Sequence, residues 1–366
     1  MDLQLHFTED DWARIGRDWS AWWAGELPRP LVMIEEFAPP WNDRGINIHN
    51  LGDLIINLPG EMSADQVLDF YQERLEAKHF YGDAFPKWKL TFGPGIAAGF
   101  LGARVNPTPD TVWFDPVEQV NIENLHLTYS ADNPWWQRVR ALTHRAVERW
   151  GNRVCIAHTD IGGNFDILAS FCTSQQLLLD LYDHPADVAR LIGEITRAWI
   201  RYYDELDTII GAGKRGTTPW APIWSPGRCY MLQSDFSYMI SPEMFERFVL
   251  PDLSACCDVL DHAFYHMDGK GQIRHLDLLL SLKRLHGIQW IPGDGAPPPQ
   301  GWLSLLKRIR DGGKLCQLFV APEGARRIVK ALGGRGFAFY IERQMSQKDA
   351  HDFLRLLESE DKSSWS

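Results

Sequence analysis

The stretch Ala263-Phe-Tyr-His-Met-Asp-Gly-Lys-Gly271 decides how the rest of the chain is read. Its apolar start has the character of a buried strand, and it ends on His266 and Asp268, side chains that buried strands rarely keep. Side chains alternate along a strand, so residues two apart share a face. His266 and Asp268 therefore point the same way, and the glycines at 269 and 271 take the chain sharply off the strand behind them. In a parallel barrel this places the pair at the carboxyl-end mouth, where such barrels do chemistry. A structural His–Asp hydrogen-bonded pair is the competing reading, because buried polar groups are normally partnered.

Outward from this strand the same alternation repeats. Downstream come a helix over 273–285, a strand over 288–292, a Gly/Pro loop to 301 and a helix over 302–310. Strands over 315–320 and 336–342 follow, with helices over 322–332 and 346–358 after them. Upstream, a strand over 228–235 follows a Pro/Gly/Trp loop and precedes Ser241-Pro-Glu243, an N-cap with Pro in the first turn. A strand over 154–160 leads through Gly162-Gly163 into helices over 165–211. Earlier still lie a helix from Pro134-Trp-Trp136 to about Trp150 and strands over 111–115, 87–92 and 29–36. The capped helix Thr8–Trp23, a loop or interrupted helix from His49 to Pro59, and an amphipathic helix from Ser63 complete the start. The glycine-rich run Gly93–Gly102 lacks the Lys-Ser/Thr ending of a phosphate loop and reads as loop and close packing. Repeated strand–helix units predict an α/β fold, a (β/α)8 TIM-type barrel over 85–358. An N-terminal elaboration over 1–84 packs on it, and 359–366 reads as a flexible tail. An open doubly wound sheet is the alternative.

Polar residues recur in register at the strand exits: His158 and Asp160, Gln233 and Asp235, His266 and Asp268, Tyr340 and Glu342. Four such pairs converging on one mouth make a pocket, in which Asp235, Asp160 and His266 are the acid–base candidates. Trp224, Trp290, Tyr265 and Arg228, with Trp220 and Trp113, are the remaining candidates for lining it against a small organic substrate.

Composition removes other classes. The chain has 366 residues, 45% hydrophobic, with a formal net charge of −11, which argues against nucleic acid or an anionic membrane as partner. Its six cysteines, at 155, 172, 229, 256, 257 and 316, form no CxxC pair, so reduced thiols and a cytoplasmic location are expected. There is no signal-peptide pattern, and no apolar run approaches the ~18 residues of a membrane helix.

The chain also resembles a known family. Asp160-Ile-Gly-Gly-Asn-Phe-Asp-Ile-Leu-Ala-Ser-Phe171, continued by Leu177-Leu-Leu-Asp-Leu-Tyr-Asp-His-Pro185, is similar to the segment around the long helix of uroporphyrinogen decarboxylases and their corrinoid methyltransferase relatives. Ser234 to Pro251 resembles that family's Asp-containing loop and Ser-Pro-Glu helix start, and Phe264-Tyr-His-Met-Asp-Gly269 its His-x-Cys strand end. The resemblance runs over about 155–345 and implies a (β/α)8 barrel. The Arg-rich substrate-gripping segment of the decarboxylases is absent, so the methyltransferase branch is the nearer likeness. That branch holds zinc through His-x-Cys and a later Cys. Here Asp268 replaces the first Cys, Cys316 lies one strand early, and Glu342 is the better-placed third ligand. The resemblance thus implies a divalent metal, zinc first, on His266, Asp268 and Glu342. Loss of the thiolates favours Lewis-acid work on an oxygen substrate over thiol activation. The expectation is a metal-assisted methyltransferase or demethylase of a small methoxylated or methylated compound, with a corrinoid protein as methyl acceptor. A metal-free decarboxylase of a small carboxylated substrate, or a non-catalytic ligand-binding barrel, are the alternatives.

Overall fold

The computed structural model describes residues 3–37, 55–58, 60, 62–118 and 120–363. Most of the segment His49–Pro59 lies outside them, as do residues 364–366 of the expected tail. The strands are β1 (Leu31–Phe37), β2 (Lys78–Gly82), β3 (Lys87–Lys89), β4 (Arg104–Pro107), β5 (Val112–Asp115) and β6 (Cys155–Ala157). They continue with β7 (Cys229–Gln233), β8 (His262–Asp268), β9 (Leu285–Ile291), β10 (Leu315–Val320) and β11 (Phe337–Ile341). Seven of them form one sheet in the order β2-β1-β11-β10-β9-β8-β7, parallel throughout except for β2. β3 pairs with β6, in parallel, as a separate sheet, and β4 with β5 as a hairpin.

The α/β class and the order of strands and helices follow the sequence expectation; closure of eight strands into one hydrogen-bonded barrel does not. The reason lies at the two ends of the large sheet. β1 is bonded on both sides, to β11 through Leu31–Met33 and to antiparallel β2 through Met33–Phe37, so β3 finds no free edge there. At the other end a loop intervenes. Thr218 bridges Ala157 of β6, and the Trp220 indole donates 3.0 Å to the Met231 carbonyl of β7. The segment 1–84 thus places β1 inside the main sheet as well as packing on it. At the other terminus the helix Gln347–Ser363 runs through residues 359–363, where buried Asp361 accepts the Gly334 N–H at 2.8 Å.

Alternation sorts the strand side chains into two cores. Tyr230 and Leu232 of β7, and Ala263, Tyr265 and Met267 of β8, join the large core shared with the helices. Cys229, Met231 and Phe264 join a second core, with Leu31, Met33, Leu315 and Ala338 from the facing strands. The helix Glu9–Trp23 completes that second core. Its Thr8 cap and Asp11 form a reciprocal capping box, and it presents Trp12, Trp19, Trp22 and Trp23 to the amino ends of the strands. The Trp22 indole donates to the Phe337 carbonyl, and the Trp23 ring stacks 4.2 Å from His262. The amino end of the strand assembly is therefore sealed by apolar rings. Polar side chains on the same face, further along each strand, gather at the opposite end.

Candidate active site

On β8 the face that carries His262 and Phe264 continues to His266 and then Asp268, whose carboxylate lies 3.8 Å from His266 Nε2. Gly269 follows at φ +78°, a left-handed turn that β-carbons disfavour. The other imidazole nitrogen, Nδ1, is hydrogen-bonded to Gln289 Oε1 on β9, and Gln289 Nε2 donates to Gln317 Oε1 on β10. Both glutamines are fully buried. In this amide orientation, with the Gln289 nitrogen on Gln317 and its oxygen toward His266, the relay selects the tautomer with the proton on Nδ1. Nε2 is then the nitrogen available to a ligand when the ring is neutral, and when protonated it faces the Asp268 carboxylate. Burial alone would lower the imidazole pKa, but Asp268, Asp235 and Gln289 outweigh it and raise it.

Asp235 arrives from the turn after β7. Its backbone N–H donates 3.0 Å to Asp166, which also accepts the Phe236 N–H at 2.7 Å, so Asp166 pins the turn that carries Asp235. The approach is close. A β-carbon at Gly163 would lie 2.2 Å from the Gln233 carbonyl, so only glycine fits where the 160–163 loop crosses the end of β7. Burial and the Asp235 charge push the Asp166 carboxyl up. Asp235 is raised too, by its confined surroundings and Asp268, with His266 pulling the other way. Buried Asp160 accepts the Gly162 N–H at 2.8 Å. Burial pushes its carboxyl up to about 6 against the pull of Lys89. The edge of Trp220 meets the His266 ring at 5.2 Å.

Asp235, His266 and Asp268 each offer a ligand atom, and these atoms lie within 4.8 Å of one another. Two carboxylates and an imidazole nitrogen whose tautomer is already set suit a divalent cation with positions left open, and the all-N/O donors extend the choice beyond zinc. The six cysteines are buried and free, and none belongs to this group. Room for a substrate adjoins it. A cavity of about 410 Å³ is lined by Asp235, Asp268, Tyr238 and Lys270, and one of about 490 Å³ by Asp268, Trp290, Phe319 and Glu342. A third, of about 550 Å³, lies against Gln233, Asp235, Asp166 and Trp113.

The structure brings together Asp160, Gln233, Asp235, His266 and Asp268 at this end and places several other candidates elsewhere. Glu342, expected as the third ligand, lines the second cavity beyond Asp268, and the cluster contains Asp235 instead. His158 points away from the mouth. β6 ends at Ala157 and the pairing with Asp160 is lost in the turn, so His158 stacks 4.5 Å from Tyr203 and faces Asp207 on the helix Pro185–Ile210. Tyr265 lies on the outer face of β8, with its hydroxyl on Gln272, not near His266. Trp290 packs against Trp302 on the outer face of β9 and also lines the second cavity, with Asp268 and Glu342. Arg228 precedes β7 at the sealed end, bound to Asp204, and Trp224 packs there, its carbonyl accepting from the Trp23 indole. Tyr340 faces inward between Phe319 and Lys87. Gln289, Gln317, Asp166 and Lys89 were not singled out from the sequence. Gln289 and Gln317 stand between apolar neighbours, Ile288 and Trp290 in one strand and Cys316 and Leu318 in the other, which is a signal in the sequence.

No protein-family model matches the chain, and no curated protein does. Solved structures do match in fold. One is a methyltransferase from Methanosarcina mazei, with a TM-score of 0.59 and 12% sequence identity over 96% of this chain and 99% of that one. The two chains share a fold over essentially their whole lengths. Among the described residues, no helix is long and apolar enough to cross a membrane.

Proposed function

We propose that the protein is a metal-assisted methyltransferase or demethylase of a small methoxylated or methylated compound, with a corrinoid protein as methyl acceptor. The observation that carries this reading is the convergence of Asp235, His266 and Asp268 at the open end of a fold shared with a methyltransferase. In the same reading the eight parallel strands are a divided (β/α)8 wall, and the chain is a distant member of the uroporphyrinogen decarboxylase and corrinoid methyltransferase superfamily, working in the cytoplasm.

Asp235, His266 and Asp268 would hold the ion, whose contribution is Lewis acidity toward a substrate oxygen. The protein's own groups do the rest. Gln289 keeps a hydrogen on His266 Nδ1, so that Nε2 remains a ligand. Demethylation breaks the methyl–oxygen bond and leaves an oxygen that needs a proton. Asp160, its carboxyl held at about 6, is a proton source available near neutral pH. The Trp220 indole gives the substrate an apolar wall beside His266.

Metal content of the purified protein and methyl release from methoxylated compounds, with a reduced corrinoid protein present, test the reading together. Stoichiometric metal that is lost with His266→Ala, together with demethylation, is the expected result. A metal-free protein whose turnover ignores chelators would leave metal-free decarboxylation or simple ligand binding as the function.

A further inference from the structure

We propose that Lys89 is an anion-recognition subsite, so that the substrate is a small organic acid whose carboxylate or phenolate rests on Lys89 while its other end lies at His266. The identity of that second end rests on the function proposed above; the anion subsite does not.

Three lysines lie on or beside this part of the strand assembly, and their partners differ. Lys78 and Lys87 both bind the buried Glu35 carboxylate, Lys78 at 3.0 Å. Lys89 is two residues further along β3, at its carboxyl end and on the same face as Lys87. Its ammonium makes no hydrogen bond or ion pair with any described residue; what it meets is the Trp220 ring, 5.6 Å from its centre. Asp160 is the nearest acid whose field it feels. That carboxylate is turned to the Gly162 N–H instead.

The Lys89 side chain is half-buried and its ammonium keeps contact with water, so the fold demands no internal partner for it and the position is open to an incoming anion. Lys87 shows the paired solution one register step away. An ammonium with no partner among the described residues, at the end of the same strand, is explained by a partner that comes and goes. The rest of the mouth narrows the choice. Asp160, Asp166, Asp235 and Asp268 make it acidic, so an anionic group on the substrate is drawn to its cations, Lys270 at the first cavity and Lys89 beside Trp220 and His266. Trp220 touches both ends of the arrangement. Its ring lies 5.6 Å from the Lys89 ammonium and 5.2 Å from the His266 ring. A flat, apolar linker running along that indole would carry an acid group at one end and the reacting group at the other, which describes a substituted aromatic acid.

The test is calorimetric titration of benzoate and of its neutral isostere benzamide into the full-length protein, with and without added zinc. Wild type should bind benzoate measurably and benzamide at least ten-fold more weakly, since a hydrogen-bonded charge contributes about one power of ten or more. Lys89→Met should erase that preference with metal content unchanged, and Lys89→Arg should restore most of it. Thermal unfolding separates recognition from a structural role. Losing a half-buried cation with no partner among the described residues should leave ligand-free Lys89→Met at least as stable as wild type, whereas a structural lysine would lower Tm on replacement. Absent benzoate binding, equal binding of the two probes, an unaltered preference in Lys89→Met, or a fall in its Tm would each overturn the subsite. Because benzoate preference can be read in metal-free His266→Ala protein, loss of the metal reading and loss of the anion subsite give different results.

Discussion

Replacing Gln289 with Leu tests the reasoning about His266 at its most exposed point. Gln289 is fully buried, its oxygen on His266 Nδ1 and its nitrogen on Gln317. Leu fills similar volume but removes both bonds. Two consequences follow, with separate magnitudes. The first concerns stability. The Nδ1–H and the Gln317 carbonyl lose their partners in a dry environment, costing about 1–3 kcal/mol each if nothing else reaches them. The second concerns the free nitrogen. Without its acceptor the proton is no longer held on Nδ1, and loss of such an outer hydrogen bond lowers metal affinity about 10- to 100-fold. Gln289→Glu restores an acceptor for Nδ1–H, so its affinity for added zinc should stand well above that of Gln289→Leu. Nitrogen-15 shifts of the histidine rings, with His266→Asn as the assignment control, read the tautomer without any metal. Wild type should show the proton on Nδ1. A wild-type proton on Nε2, or equal zinc affinity in wild type and Gln289→Leu, would refute the relay.

His266→Ala and Asp235→Asn should each lower zinc stoichiometry in equilibrium dialysis, whereas Glu342→Gln, outside the cluster, should leave it near the wild-type value. Trp22→Ala, in the sealed end, should lower unfolding free energy by about 3–5 kcal/mol in chemical denaturation, the range for a fully buried aromatic. Glu35 supplies a pH test: burial would raise its carboxyl, but Lys78 and Lys87 hold it at about 2, below its ordinary 4.5. A depressed native pKa stabilises above the unfolded value, so Glu35 should contribute about 3 kcal/mol above pH 4.5, lost as pH falls toward 2. The stability gap between wild type and Glu35→Gln should therefore close across that interval.

Much of this was legible in the strand residues. The period of two put His266 and Asp268 on one face, and the same rule places Tyr265 and Trp290 on the other, as the structure has them. Grouping Tyr265 with the mouth set chemistry above parity, whereas Trp290 still lines the cavity beyond Asp268. His158 failed differently: its strand stops at Ala157, and no alternation survives the turn that carries Asp160 inward. Arg228 and Trp224 precede their strand, so strand direction alone sends them to the sealed end. Barrel closure depended on a pairing that no local pattern announces. The short segment after the helix Ala64–Glu76 folds back as β2 onto β1, and its antiparallel bonds occupy the edge that β3 would have used. Asp235 as the third member of the cluster was equally hidden, since its position comes from Asp166, a side chain on another unit.

The position of the chemistry can be argued from the packing without appeal to the fold class. Four tryptophans of the first helix close the amino end of the strands, and the residues they meet there are apolar on every strand but two, where His262 and His286 both lie against Trp23. His262 is bonded to Ser225, and burial lowers the pKa of both imidazoles, that of His262 to about 4, so they stay neutral. Moving toward the other end, each strand face changes from apolar to polar within two or three residues: Met33 to Glu35, Phe85 to Lys87 and Lys89, Phe264 to His266 and Asp268. A charge in this tapering interior has two ways to be tolerated, a partner or an opening to water. Glu35 and Lys87 took the first. Asp235 and Asp268 took the second, and in doing so stand where an incoming cation finds three donors already gathered. Lys89 has no described partner and only a half-buried side chain beside Trp220, a position an incoming anion can reach, which is why the Lys89→Met titration bears most directly on what this protein takes in.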